Sequence, residues 1–287
     1  MINPIEYKDL TPELMRSGCF VTGMPNDEYH ASEGISKSGL DKIARSPAHY
    51  RYMEQKSQSR AMVLGSAIHA AILEPARFAA EYVLLEDAKD RRCAEYRRAI
   101  KEAREEHVLV AGEAEQVAGM IRQAEQNTEL QAALKSEHWT ELSAFVACPD
   151  TGVILRARFD LLTADGRSYD LKKTRDARPA MFAKSVNEYR YHVQDAFYSR
   201  VYQLITGHPL QAFKFVAIEE SKPHTCAVYE LDEFSKMAGQ FYSSRDLDTY
   251  AVCVNDDIWP HPQHDGVITL PGWAAKQFED EFYGETE

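Results

Sequence analysis

The residues best suited to chemistry in this chain are two aspartates and a lysine, Asp160, Asp170 and Lys172. Two carboxylates held close together repel each other unless something positive lies between them. Hard oxygen ligands at short range suit Mg²⁺ or Mn²⁺. An ammonium beside such a metal can polarise a phosphate oxygen or position an attacking water. The three residue types together therefore indicate a metal-dependent phosphodiesterase arrangement.

Turns and apolar runs in the same stretch predict strands that bring these side chains together. Residues 142–146 and 153–162 are apolar or alternate in polarity, and the Pro-Asp-Thr-Gly turn between them predicts a β-hairpin. A second turn leads into a strand over residues 168–173. The two aspartates then lie on neighbouring strands. The lysine shares a face with the second aspartate, because strand side chains repeat with a period of two.

An Asp-x-Lys tripeptide alone most often marks an exposed strand with a surface ion pair. Two further segments favour a functional interpretation. His69 lies in an apolar helical stretch that contains Gly65-Ser66-Ala67-Ile68, although a single histidine there is more often a packed core residue. Downstream, Gln194 and Tyr198 are four residues apart and share a face of a predicted helix.

These four pieces, in this order, resemble the RecB-like branch of the PD-(D/E)XK nucleases from about Gly34 to about Thr206. The chain is more similar to RecE-type exodeoxyribonuclease VIII of phages than to lambda exonuclease. The resemblance implies a metal site formed by four groups, namely His69, Asp160, Asp170 and the Leu171 backbone carbonyl.

The resemblance also implies roles for the residues around the metal. Lys172 and the metal would activate water and stabilise the charge that develops on the phosphate. Gln194 would position the scissile strand, and Tyr198 would approach the DNA. Glu141 would support the metal site from outside it, and a surface strand start is an equally good interpretation. Lys173 replaces the usual threonine of the family, and strand alternation directs it away from the site.

A candidate phosphate-binding region lies upstream, where Ser36 or Ser38 is placed to cap a helix. Capping alone explains both serines, but a helix start also favours an anion. By resemblance to lambda exonuclease, Ser38 matches a serine that holds the 5′-phosphate of DNA. Arg158 lies two residues before the first metal-binding aspartate, where that family has a serine, and a guanidinium can bind phosphate.

The net charge of −12 argues weakly against a DNA-binding protein. However, residues 150–184 hold eight Lys or Arg against five Asp, whereas residues 225–287 hold three against thirteen acidic residues. Affinity for DNA depends on the charges that meet phosphate, so the acidic excess does not exclude binding. The five cysteines are widely spaced and indicate neither disulfides nor a zinc site. With no signal peptide or membrane-length apolar run, we expect a cytoplasmic protein without a membrane partner.

The order of elements predicts an α/β fold, and the resemblance implies a PD-(D/E)XK restriction-endonuclease-like core with a mixed central sheet flanked by helices. Within the helical region we expect two long charged helices, Arg91–Arg104 and Ala111–Lys135. We expect one nuclease domain over residues 1–287, with four parts: an irregular arm (1–33), a helical region (34–136), a catalytic core (137–231) and a C-terminal helix with an acidic tail (232–287).

The resemblance implies a Mg²⁺-dependent exodeoxyribonuclease, with Mn²⁺ able to substitute. It would digest linear double-stranded DNA 5′→3′ and leave 3′ tails for an annealing protein of the RecT or Red-beta type. It would also assemble as a ring-shaped homo-oligomer. Two alternatives stay open, namely a RecB-like or Cas4-like nuclease of other polarity or strandedness, and a non-catalytic DNA-binding assembly subunit.

Overall fold

The computed structural model describes residues 2–54, 59–262 and 266–283. The described strands are β1 (Ile5–Glu6), β2 (Cys19–Thr22), β3 (Val83–Leu85), β4 (Val108–Val110), β5 (His138–Ala147), β6 (Ile154–Thr163), β7 (Arg167–Thr174), β8 (Ala212–Glu219) and β9 (Cys226–Glu230).

Helices separate and follow these strands. The described α-helices are α1 (Pro12–Ser17), α2 (Asn26–Ala31), α3 (Lys37–Arg45), α4 (Pro47–Tyr52), α5 (Arg60–Leu73), α6 (Pro75–Glu81), α7 (Ala94–Ala99), α8 (Ala111–Gln126), α9 (Thr128–Lys135), α10 (Pro179–Glu188), α11 (Tyr191–Thr206), α12 (Glu233–Asp256) and α13 (Gly272–Tyr283). Within the described ranges, none of the helices combines the length and apolar content needed to cross a membrane.

Seven of the described strands form one mixed sheet in the order β1-β2-β5-β6-β7-β8-β9. The β5–β6 and β6–β7 pairs are antiparallel, as the hairpin pattern predicts, whereas β7 and β8 are parallel. The parallel pair requires a crossover, which α10 and α11 provide. The prediction of an α/β fold with a mixed sheet flanked by helices is confirmed.

Helices cover both faces of the central strands. On one face, α3, α11 and α12 contribute Leu40, Phe197 and Leu247 to a buried cluster that includes Phe159 of β6. On the other face, α5, α8 and α9 pack in a second cluster that includes Leu171 of β7. Alternate residues of β7 therefore face different helices, and Asp170 and Lys172 face the α11 side.

The N-terminal arm predicted over residues 1–33 is not irregular. Strands β1 and β2 extend the central sheet, and β2 pairs with β5. Pro12 marks the first position of α1, whose N-cap is Thr11, so this proline starts a helix rather than breaking one. Residue Met1 lies outside the described residues.

The predicted bounds of the two long charged helices in the helical region are also wrong. Of residues 91–104, only Ala94–Ala99 form an α-helix. The longer one divides at Asn127, whose side chain accepts from Leu130 N at 3.0 Å and so caps α9. The small parallel sheet β3–β4 was not predicted, because three-residue strands carry almost no periodic signal.

Elsewhere, the predicted boundaries hold within a few residues. Ser36, one of the two predicted caps, caps α3. Gln194 and Tyr198 lie on α11, the helix that their spacing predicts. The last described helix, α13, begins at Gly272. The last four residues of the acidic tail lie outside the described residues.

Close packing of α11 against α12 gives the first testable prediction. A Cβ added at Gly239 would lie 2.0 Å from the backbone oxygen of His192, so Gly239→Ala must separate the two helices. We expect a loss of about 1–3 kcal/mol in the free energy of unfolding, measured in urea.

Gly65 of α5 is the matched control, because a Cβ there meets no atom within 4 Å. Gly65→Ala should instead stabilise the protein by roughly 0.5–1 kcal/mol, as expected for alanine in a helix interior. Equal effects of the two substitutions would contradict the described packing.

Candidate metal centre

Strands β5 and β6 place Glu141 and Asp160 opposite each other. The paired residues on either side keep the register that aligns these two positions. Glu141 has a φ of 48°, in the left-handed region that disfavours any residue with a Cβ, at a cost of about 1–3 kcal/mol. Phe159 and Leu162 of β6 are three residues apart yet pack in the same cluster, so strand alternation is interrupted at this point. The strand distortion is thus located at the two carboxylates.

Helix α5 presents His69 to this pair. Its Nε2 lies 3.0 Å from Leu171 O, and because a carbonyl only accepts, Nε2 carries the hydrogen. In the neutral ring, the Nδ1 lone pair then faces the carboxylates, 3.4 Å from Asp160 Oδ2 and 4.0 Å from Glu141 Oε1. A lone pair directed at two carboxylates needs a proton or a cation between them.

The ligand atoms of His69, Glu141 and Asp160 all lie within 4.8 Å of one another. Carboxylate oxygens and an imidazole nitrogen suit Mg²⁺, Mn²⁺ or a related divalent cation. Leu171 contacts two members of this group. Its N–H donates to Asp160 Oδ2 at 2.8 Å, and its carbonyl accepts from His69 Nε2. A hydrogen-bonded histidine with a fixed ring orientation is typical of metal ligands. The donor set therefore fits a divalent metal.

The electrostatics of the two carboxylates support the same interpretation. Burial raises the pKa of Asp160, and Asp170 and Glu141 raise it further against the opposing effect of His69. Burial likewise raises the pKa of Glu141, although His69 and Arg158 oppose the shift. Both groups resist ionisation without a cation, so metal binding should release protons and strengthen as pH rises.

Asp170 lies beside this cluster with different partners. Gln194 Nε2 of α11 donates to its Oδ1 at 2.6 Å. Its Oδ2 contacts the Lys172 ammonium but accepts no well-aligned hydrogen bond. The ammonium already compensates the charge on this oxygen, so the oxygen does not by itself call for a metal. Asp170 as a metal ligand stays a prediction.

Lys172 is held as an ammonium. Burial acts to lower its pKa, but Asp170 and Asp160 outweigh burial, and its pKa is raised. Its Nζ also lies 4.9 Å from the centre of the Tyr191 ring, a cation–π distance. Lys173 points to the other side of the strand and pairs with Glu220. The direction predicted for Lys173 is confirmed.

Two other predicted residues, Tyr198 and Ser38, differ in their exposure to solvent. Tyr198 packs against Phe159 and Phe213, with ring centres 5.1 and 5.7 Å apart, and burial raises its pKa. Ser38 is exposed, 3.0 Å from Ser36 Oγ. Tyr198 therefore contributes to packing, while Ser38 is accessible to a ligand.

Arg158 is buried in a hydrogen-bond network. Its Nη2 donates to Met24 O and Ser143 Oγ, at 2.9 Å each, and Nη1 donates to Asn26 Oδ1 at 3.4 Å. The guanidinium also lies over the Tyr29 ring at 4.3 Å. These contacts connect the N-terminal segment to β5 and β6, a role that the sequence analysis missed.

The sequence predicts Glu141 outside the metal site, whereas its carboxylate lies next to His69 and Asp160 in the structure. Its spacing from Asp160 across a predicted hairpin would have aligned the two. The distortion at Glu141 has no sequence signal, because left-handed glutamates are rare.

The raised pKa of Asp160 predicts that its charge lowers the stability of the metal-free protein, although the same charge is needed to bind the metal. A folded-state pKa above the unfolded value favours the protonated form, so the fold loses stability as pH rises through the folded pKa. Asp160→Asn keeps an oxygen for Leu171 N–H and removes the charge. In EDTA at pH 8, we expect this variant to be more stable by on the order of 1–2 kcal/mol in thermal unfolding.

In Mg²⁺, the unsubstituted protein should instead be more stable than Asp160→Asn. A ligand that binds only the folded state adds about 2.7 kcal/mol at one hundred times its Kd, and only the unsubstituted protein should gain this. Asp248→Asn on the exposed surface of α12 is the control and should change neither value. A lower stability of Asp160→Asn in EDTA would contradict this account of the site.

Comparisons with known proteins concern the fold and the family of this chain. The crystal structure of a "Putative exonuclease" from Eubacterium rectale superposes with a TM-score of 0.56 and 13% identity, over 87% of this chain and 96% of that one. Likeness at this identity shows the fold alone. The structure of SSO0001 covers 79% of this chain and 86% of its own, with 13% identity, but its TM-score of 0.29 supports no argument. No curated protein matches the chain.

The family described as "PDDEXK-like domain of unknown function (DUF3799)" matches residues 36–264. The match spans α3 to the segment after α12 and includes every residue of the candidate metal centre. The PD-(D/E)XK part of the sequence interpretation is confirmed. This chain belongs to the PDDEXK-like DUF3799 family.

Proposed function

We propose that this protein is a Mg²⁺-dependent exodeoxyribonuclease that hydrolyses linear double-stranded DNA. The observation that carries the proposal is the convergence of His69, Glu141 and Asp160 beside the Asp170–Lys172 ion pair. Membership of a PDDEXK-like family and the fold of the Eubacterium rectale structure support a nuclease. A module that only binds DNA has no need for convergent metal ligands.

The residues have distinct tasks in this mechanism. His69, Glu141 and Asp160, with Asp170 beside them, would hold a divalent cation. The Leu171 carbonyl, a ligand according to the resemblance, accepts from His69 Nε2 and would orient the ring instead. When bound, this cation would act as a Lewis acid toward the scissile phosphate and lower the pKa of water. Lys172 would stabilise the negative charge that develops on the phosphate in the transition state.

Gln194 acts through Asp170 in this arrangement. Its amide donates to Asp170 Oδ1 and fixes the orientation of that carboxylate. The other oxygen then faces Lys172, so the ammonium and the carboxylate are placed together. A contact of Gln194 or Tyr198 with the scissile strand remains part of the proposal.

The finer proposal is 5′→3′ digestion that leaves 3′ single-stranded tails for phage-type recombination. Its support is the resemblance of the four motifs to RecE-type enzymes. The same resemblance supports an annealing partner of the RecT or Red-beta type and a ring-shaped homo-oligomer around the duplex. Mn²⁺ should substitute for Mg²⁺, since both accept oxygen ligands.

End-labelled DNA tests the function directly. Linear duplex labelled at the 5′ or the 3′ end should lose the 5′ label first, with Mg²⁺ and not with EDTA. Asp160→Ala and Asp170→Ala should abolish the reaction. Release from the 3′ end, or action on single strands only, would favour a RecB-like or Cas4-like nuclease. Binding of DNA without cleavage would favour a non-catalytic assembly subunit.

Two adjacent lysines provide a matched test of the chemistry. Lys172→Met should reduce single-turnover cleavage by about 10²–10³-fold, because removing one donor to developing charge has that effect. Binding of Mn²⁺ should persist. Lys173→Met should cleave at nearly the unsubstituted rate, since Lys173 faces Glu220. The reverse ranking would show that the strand register is shifted by one residue.

Recognition of the DNA end gives a further prediction about Ser38. A hydroxyl at the start of α3 would donate to a terminal phosphate, and hydrogen bonds to charged groups contribute roughly 1.5–3 kcal/mol. Ser38→Ala should therefore reduce the preference for 5′-phosphorylated over 5′-hydroxyl ends by about tenfold or more.

The control in this experiment is Ser17→Ala, a substitution at the end of α1. Arg158 is less suitable for this test, because its buried contacts would confound loss of phosphate binding with loss of stability. If the unsubstituted protein, Ser38→Ala and Ser17→Ala all prefer 5′-phosphorylated ends equally, Ser38 is not part of the phosphate site.

A further inference from the structure

A small cavity lies between α11, α12 and the start of β8. Its volume is about 110 Å³, and its polar lining comes from Asp195, Ser199, Lys236 and Gln240, among others. None of its lining residues belongs to the candidate metal centre. A water needs roughly 10–15 Å³ of such volume, so the cavity can hold more than a single water molecule.

Asp195 is the unusual group in this cavity. The residue is only 4% exposed, and its Oδ1 accepts from Ser199 Oγ at 3.2 Å. Its buried Oδ2 has no hydrogen-bond partner. Burial raises the pKa of Asp195 to about 6, so the carboxylate is still mainly ionised at neutral pH. An ionised buried oxygen without a donor is costly, and a cationic donor would remove that cost.

The neighbouring charges do not supply this donor. Lys236 lines the cavity, but its Nζ donates to Glu230 at 2.9 Å and Glu233 at 3.4 Å. Lys236 is thus paired with two glutamates that do not line the cavity, and Asp195 Oδ2 inside the cavity has no cationic donor. Helix α13 of a second copy fits poorly, because its Glu279–Glu281 segment is also acidic.

An apolar surface adjoins the cavity on α12. Phe234, Met237 and Phe241 are 76%, 58% and 66% exposed. Their spacing of three and four residues places them on one face, next to Lys236 and Gln240. Exposed contiguous apolar residues of this kind mark interaction surfaces. We name Phe234, Met237 and Phe241 the α12 stripe.

We propose that the cavity and the α12 stripe form a docking site for a partner protein that inserts an arginine side chain beside Asp195. The planar, weakly hydrated guanidinium suits a buried carboxylate better than an ammonium does. Apolar residues flanking that arginine would cover the α12 stripe. The unpaired carboxylate of Asp195 favours a cationic side chain over an acidic segment or DNA.

The cavity is tested with n-butylguanidinium and its neutral analogue n-butylurea. Binding is followed by shifts of the Ala196 and Ser199 amide signals in NMR spectra. We expect n-butylguanidinium to bind at least about tenfold more tightly, as for a charge-assisted hydrogen bond. Asp195→Asn should abolish this preference, while Asp248→Asn on the exposed surface of α12 should retain it.

A second variant separates loss of the carboxylate from loss of the fold. Gln240→Trp should block the cavity from the exposed side of α12 and prevent binding while Asp195 remains. Equal binding of the two compounds, or a preference that survives Asp195→Asn, would overturn the proposal and leave a cavity that holds only water.

The surface is tested with a synthetic helical peptide that carries one arginine with leucines three and four positions away. Replacing the arginine by citrulline, or Met237 and Phe241 of the protein by serine, should each weaken binding at least about tenfold. Val254→Ser, elsewhere on α12, should have no effect. Binding that ignores the α12 stripe or the arginine would refute the docking site. Neither measurement depends on DNA cleavage.

Discussion

The burial of three neighbouring carboxylates is the constraint on which this structure depends. Glu141, Asp160 and Asp170 lie on three consecutive strands of one sheet, in positions that water reaches only partly. Burial raises the pKa of the first two and so opposes their ionisation. A fold that retains such a cluster gives up stability for it, which proteins commonly do at sites that bind a cation.

The surrounding elements hold the cluster in place from both faces of the sheet. From one side, α5 directs His69 toward Asp160 and fixes the ring through Leu171 O. From the other side, the Gln194 amide of α11 donates a hydrogen bond to Asp170. The Leu171 peptide connects these contacts, because its N–H binds Asp160 and its carbonyl binds His69. Positions on strands and helices allow less movement than loops, as a catalytic geometry requires.

Much of the fold was predictable because its signals are local. The hairpins of β5–β7 follow from turns and apolar runs, and the different directions of Lys172 and Lys173 follow from strand alternation alone. In contrast, β1 and β2 are short. Strand β2 pairs with β5, more than one hundred residues away in sequence, and β1 pairs only with β2. Such pairing leaves no periodic pattern in the N-terminal sequence.

The site was predictable in its residue types and less so in its contacts. Asp160, Asp170 and His69 were found from motifs, and the hairpin register aligns Glu141 with Asp160. The direction of the Glu141 side chain, in contrast, depends on a left-handed backbone that no motif encodes. The buried contacts of Arg158 depend likewise on the position of the N-terminal segment. Tertiary packing, rather than local preference, determines both.

The central claim is that His69 and its neighbouring carboxylates bind one divalent cation. Pulsed electron paramagnetic resonance of the protein with Mn²⁺ tests it most directly, because a nitrogen ligand couples to the electron spin. We expect a ¹⁴N coupling in the unsubstituted protein that disappears in His69→Gln, with Mn²⁺ still bound by the carboxylates. Absence of the coupling in the unsubstituted protein, or its persistence in His69→Gln, would contradict the account.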